Sequence, residues 1–150
     1  MAYSTPTSRS TGDVISASIW NQDVVDNMIA MTPHGFTAVI DGSGAPIVTG
    51  VKFDIYVPAK CTITKMTLLA DQTGSIVIDL WKDTYANFPP TDADSITSTS
   101  EPEINAGVKY QDESLTDWVV DCEEGDIIRV NVDSCSTITR CILAGNVAYS

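Results

Sequence analysis

Gly74-Ser-Ile-Val-Ile-Asp-Leu-Trp-Lys-Asp-Thr-Tyr-Ala-Asn-Phe-Pro-Pro90 carries two patterns in succession. In its first half Ile76, Ile78 and Leu80 alternate with Val77, Asp79 and Trp81. A period of two marks a strand with one face in a core. The second half gathers Tyr85, Asn87, Phe88, Pro89 and Pro90. Proline lacks the amide that a ladder needs, so the strand must leave the sheet and run into an aromatic loop.

Upstream of this stretch, residues 61–70 form a further strand. Its doubled Leu68-Leu69 breaks the alternation, which predicts a bulge or burial on both faces. Asp71-Gln-Thr-Gly74 supplies a turn between the two strands. Val51, Phe53, Ile55 and Val57 alternate with Lys52, Asp54 and Tyr56, and Pro58 closes that strand. Residues 36–40 make a short apolar strand ending at Asp41-Gly-Ser-Gly44. Downstream, residues 91–105 read as a Ser/Thr/Asp-rich connector with at most one weak strand around Ile96, and residues 118–120 are short and apolar. Ile128, Val130 and Val132 alternate with Ile127, Arg129 and Asn131 after the turn Glu123-Glu-Gly-Asp126. The last strand, residues 137–147, places Thr137, Thr139, Cys141, Leu143 and Val147 on one face. About seven or eight strands with turn signals between them predict a mainly β fold, an antiparallel β-sandwich of jelly-roll type.

The N-terminal residues follow another rule. Residues 1–10 are rich in Ser and Thr and read as an extended arm. From residue 16 to 31 the pattern is helical, with Ser16 or Ser18 as cap and Trp20, Val24, Met28 and Met31 at four- and three-residue steps. Ile19 and Ile29 widen this stripe, and Thr32-Pro33-His34-Gly35 stops it. So short a helix is marginal alone in water and must pack on something. The chain therefore divides into an arm with an anchoring helix, residues 1–35, and a β-sandwich domain, residues 36–150.

At 150 residues the chain is long enough to bury about 68–70% of the surface its unfolded form exposes. Eight Lys and Arg against 20 Asp and Glu give a formal charge of −12. That sign disfavours nucleic acid and anionic membranes as partners, because phosphate binding needs clustered cations. No run of about 18 apolar residues and no basic leader with an apolar core is present, so neither a membrane span nor a secretory signal is expected.

Little in the chain has the form of catalytic machinery. The single histidine, His34, sits in the Pro-His-Gly linker, away from any spacing suited to a base. Asp54 and Asp79 lie on outward strand faces, as carboxylates of any acidic sandwich do. Asp92, Asp94, Asp121, Glu123, Glu124 and Asp126 supply hard oxygens but match no spaced calcium loop, and no glycine-rich phosphate loop opens a helix. No catalytic, metal or cofactor site is expected. Cys61, Cys122, Cys135 and Cys141 lack zinc spacing and allow three complete pairings; buried thiols and disulfides, within or between chains, both fit. The rings Trp81, Tyr85, Phe88 and Trp118 either line up to stack on a glycan or pack beneath Pro89 and Pro90 to close one end of the fold.

Thr11-Gly-Asp-Val-Ile-Ser-Ala-Ser-Ile-Trp-Asn-Gln-Asp-Val-Val-Asp-Asn27 resembles an entry motif of structural proteins of tailed bacteriophages. Residues 68–90 resemble a β module of phage fibre and decoration proteins, and Gly125-Asp-Ile-Ile-Arg-Val-Asn-Val-Asp133 and Ser136-Thr-Ile-Thr-Arg140 share its character. The resemblance implies a non-enzymatic virion component, assembled in the host cytoplasm and often a homotrimer, whose partners are its own copies and the major capsid protein or other virion proteins. The chain has no repeat-built shaft, which favours a capsid decoration (cement) protein held by the helix face Trp20, Val24 and Met28. A receptor-binding fibre module that recognises host glycan through the aromatic loop is the alternative.

Overall fold

The computed structural model describes residues 5–6, 8–30 and 34–149, with backbone alone at Ile29 and Ala30. The chain divides into two compact units, Met1–His34 and Gly35–Ser150. In the first, the Ser16 hydroxyl accepts the Ile19 amide at 3.3 Å and caps a helical run. The run comprises α1 (Ala17–Trp20), a π-helical stretch Asn21–Asp26 and α2 (Asn27–Ala30). The sequence pattern predicts an ordinary α-helix here. The β-branched pair Val24-Val25, among Asn and Asp side chains that compete for backbone groups, weakens the α register where the π turn appears. Met31, the Thr32-Pro33 stop and residues 1–4 and 7 of the arm lie outside the described residues.

The second unit is β. Among the described residues seven strands form one antiparallel sheet: β1 (Gly35–Asp41), β2 (Gly50–Tyr56), β3 (Cys61–Thr84), β4 (Glu103–Asp112), β5 (Asp121–Cys122), β6 (Asp126–Ser136) and β7 (Arg140–Tyr149). β3 is the spine. Its first half pairs with β7, from Cys61↔Tyr149 to Ala70↔Cys141, and its second half with β6, from Ser75↔Ser136 to Thr84↔Asp126. β6 and β7 are thus one ribbon interrupted at residues 137–139. β1 and β2 run along the far side of that ribbon, β1 on β7 and β2 on β6. β4 follows the other side of β3 from Val77↔Glu103 to Met66↔Asp112.

The interruptions fall in line and form a crease across the sheet. Gly42 N–H donates to Thr139 O at 2.7 Å, and Ile47 N–H to Ile138 O at 2.9 Å. Thr137, at φ 68°, donates its hydroxyl to Thr73 O at 2.9 Å. The Asp71 carboxylate accepts the Thr139 and Arg140 amides at 3.2 and 3.0 Å, and the Thr139 hydroxyl as well. That last bond, ahead of the amides, holds the Asp71 carboxyl below the usual range. Ala106, at φ 47°, continues the crease in β4, where its amide donates to Ser75 Oγ at 3.0 Å. Side chains thus supply the ladder bonds that the bend removes.

Curling along this crease brings both halves onto one core. Ile63, Met66 and Leu68 before it and Ile76, Ile78 and Leu80 after it are buried together with Val130, Val132, Ile138 and Leu143. Each such side chain contributes about 1.5–3 kcal/mol of burial. Gly145 leaves a slot that the Phe36 ring fills, since a Cβ at 145 would overlap that ring.

Several sequence expectations need correction. Residues 71–74 are a bend inside a single strand, and no hairpin turn forms there. Leu68 is buried while Leu69 is 45% exposed, so alternation simply continues through the pair. In the last ribbon Ile138 points inward and Thr137 and Thr139 do not, because the left-handed Thr137 resets the parity. β4 has no counterpart in the sequence reading, and residues 118–120 form no strand.

Gly74 tests the crease. A Cβ there would collide with Ser136 O, Thr137 Oγ1 and the Ile138 side chain, whereas one at Gly107 meets Asn105 O only at 3.6 Å. Gly74→Ala is therefore expected to lower urea-unfolding stability by about 1–3 kcal/mol, and Gly107→Ala to leave it within about 0.5 kcal/mol.

Candidate functional site

The helical run presents apolar side chains to solvent. Trp20 is 54% exposed and Met28 61%; Val14, Ile15 and Val25 are exposed too, and Val24 is half-buried. An ion pair from Arg9 to Asp23 at 3.0 Å and a bond from Asn27 Nδ2 to Asp23 O at 3.3 Å brace the polar side. The expected anchoring residues Trp20 and Met28 are thus accessible on one short helical element.

A second region lies on the outer face of the second half of β3. Strand alternation sends Ile78 and Leu80 inward and Asp79 and Trp81 outward. Asp79 is nevertheless only 3% exposed. The connector to β4 covers it, with Ile96 N–H donating to Leu80 O at 2.8 Å and Ile78 N–H to Pro102 O at 3.1 Å. The Asp79 carboxylate accepts Ser95 Oγ at 2.8 Å, Thr97 Oγ1 at 2.5 Å and Trp81 Nε1 at 2.5 Å. These three donors satisfy a charge that would otherwise be costly to bury. One oxygen each of Asp79, Glu101 and Asp133 lies within 4.8 Å of the others. Burial first, then the charges of Asp133, Asp79, Asp92 and Glu103, raise the Glu101 pKa. Burial likewise raises that of Asp133, against a bond donated by Asn131. The trio offers hard oxygens of the kind divalent cations prefer, but Asp79 already accepts three protein donors, leaving about one lone pair on Oδ2. No sequence signal brings these three residues together; only the crossing of the connector does.

Five of the other carboxylates singled out from the sequence have protein partners. Asp54 receives Arg129 in two bonds of 2.7 and 2.9 Å. Asp94 closes a capping box with Thr91, Asp121 accepts Thr62 Oγ1, Glu123 pairs with Lys60, and Asp126 pairs with Lys82. They do not gather into one calcium loop.

The aromatic set divides. Tyr85 is 78% exposed at the start of a 3₁₀ turn, Tyr85–Asn87. Phe88 is exposed with the Arg129 guanidinium 5.1 Å from its centroid, and Trp81 is half-buried over Asp79. Trp118 is buried in the core, 8% exposed, and donates Nε1–H to Ser100 O at 2.8 Å. It therefore offers no face to a sugar, and it leaves the candidate glycan set. Pro90 is buried beside this loop while Pro89 is exposed, so the loop is a partial lid. All four cysteines are thiols; Cys61, Cys122 and Cys141 are buried and Cys135 is partly so. No helix among the described residues is long and apolar enough to cross a membrane. Comparison with family models, with curated proteins and with solved structures gives no match.

The acidic trio makes a signed pH prediction. A carboxyl whose folded-state pKa exceeds its unfolded value lowers stability while charged. That loss is full above the folded pKa and vanishes below the unfolded value of about 4.3. Glu101→Gln is expected to melt above the unmodified chain at pH 7, and the two melting curves to converge as pH falls to about 4.

Proposed function

We propose that this chain is a non-enzymatic virion structural protein, a capsid decoration protein that binds the head lattice through its N-terminal helical unit and assembles as a homotrimer. The observation that carries the reading is the exposure of Trp20 and Met28 on a unit separate from the β body. Large apolar side chains left in water on a short helix match a segment that completes its packing on a neighbour. The resemblance to phage structural proteins supplies the partner class: further copies of the chain and the major capsid protein. In this reading the curled sheet is a jelly-roll-like sandwich, a compact body suited to a lattice site. The chain's work is then binding, since contacts made only in the assembled shell raise the free energy of pulling subunits apart.

A second reading is favoured by one feature, the exposed Tyr85 and Phe88 at the lip of the loop. There the chain would be a fibre module whose rings stack on host surface glycan.

Trp20→Asp and Met28→Asp separate the two. Each is expected to keep the melting temperature within about 2 °C and to weaken binding to emptied heads by roughly 30-fold or more, a typical loss for an anchor residue. Tyr85→Ala is expected to bind heads unchanged. Retention of full head binding by both helix variants, with glycan-array binding that Tyr85→Ala abolishes, would establish the fibre reading instead.

A further inference from the structure

Cys61 in β3 and Cys122 in β5 are partners in the antiparallel ladder. Both are buried, and the Cys122 thiol donates to Val120 O at 3.9 Å. On one side of them Lys60 Nζ meets Glu123 Oε1 at 2.6 Å; on the other Thr62 Oγ1 donates to Asp121 Oδ1 at 2.8 Å. These flanking pairs fix the register of a strand only two residues long. Ile63 N–H donates to Val120 O at 2.9 Å. Because hydrogen-bonded pairs alternate along a ladder, Cys61 and Cys122 form such a pair, with Cα atoms about 5.5 Å apart. That separation lies inside the range a disulfide spans without backbone movement. Both cysteines also line a largely apolar cavity of about 210 Å³ bounded by Phe36, Ile55, Ile63 and Val147. The exposed Tyr56 is part of its lining, so the cavity reaches the surface.

We propose that Cys61 and Cys122 are a modification site that closes to an intrachain disulfide on meeting a low-molecular-weight disulfide such as oxidised glutathione. One thiol loses its proton and attacks the reagent, forming a mixed disulfide and releasing one glutathione thiolate. The second, deprotonated in turn, displaces the other glutathione. The two cysteine sulfurs are oxidised, the reagent is reduced to two thiols, and the two protons pass to those leaving groups. Burial pushes the Cys61 thiol up and Cys122 to about 12, so the exchange is slow at neutral pH. Cys135 and Cys141 have no such arrangement: Cys135 stands opposite Ile76, and Cys141 lies between Ile40 and Ala70 in the ladder. The proposal is independent of the virion reading.

The test is to incubate the full chain with oxidised glutathione for a day, unfold it in acid, alkylate remaining thiols and map the peptides by mass spectrometry. Two thiols are expected to escape alkylation, with the Cys61 peptide joined to the Cys122 peptide and the chain monomer-sized on a non-reducing gel. The melting temperature is expected to rise by roughly 5–15 °C, to fall back with dithiothreitol, and to rise equally in Cys135→Ser. Four alkylated thiols, glutathione adducts without the link, a different pair, or a bond between chains would each overturn the proposal. The peptide map is read on the unmodified sequence, so it decides the matter even if Cys61→Ser fails to fold.

Discussion

The close approach of β3 to the β6–β7 ribbon at Gly74 governs the shape of the second unit. Only a residue without a Cβ leaves room there for the Ser136 carbonyl and the Thr137 side chain. The bend breaks the ladder on both sides of β3, and Asp71, Thr137 and Ser75 restore the missing bonds with side chains. With those in place the two halves of the sheet turn their apolar faces to one core. The same bend carries Asp79 and Trp81 to the outside beneath the connector, and it leaves Cys61, Cys122 and the apolar cavity at the far end.

Alternation made much of this legible. Ile76, Ile78 and Leu80, and likewise Val130 and Val132, are buried where a period of two places them. The crease was not legible, because Asp71-Gln-Thr-Gly74 has the composition of a turn whether the chain reverses or merely bends. β4 carries a period of two, Ile104, Ala106, Val108 and Tyr110 against Asn105, Gly107 and Lys109, but Ala-Gly has the composition of a connector. The left-handed Ala106 also breaks the burial, leaving Val108 exposed. Trp118 shows the limit of residue type as a guide. Its ring could serve a sugar or a core, and its neighbours in space, not in sequence, settled it for the core. The acidic trio and the Cys61–Cys122 pairing depend on contacts between distant segments, which no local pattern encodes.

The two units differ in what they need from their surroundings. Among the described residues, the core of the second unit draws on positions from Phe36 through Tyr149. The first unit is a short, partly π-helical run with Trp20 and Met28 in water, the kind of element that gains most from a partner surface. A formal charge of −12 opposes non-specific association of such chains, so the proposed assembly relies on a specific apolar seat. In the proposed reading, the first unit makes the attachment and the second needs none to hold its own core.

Amide hydrogen exchange on the chain, free and bound to emptied heads, tests this division most directly. The account predicts that amides of residues 17–30 exchange rapidly in the free chain and slow by about 100-fold or more on binding, while those around Tyr85 and Phe88 are unchanged. Protection that appears at residues 81–88 on binding, with residues 17–30 exchanging as fast as before, would contradict it.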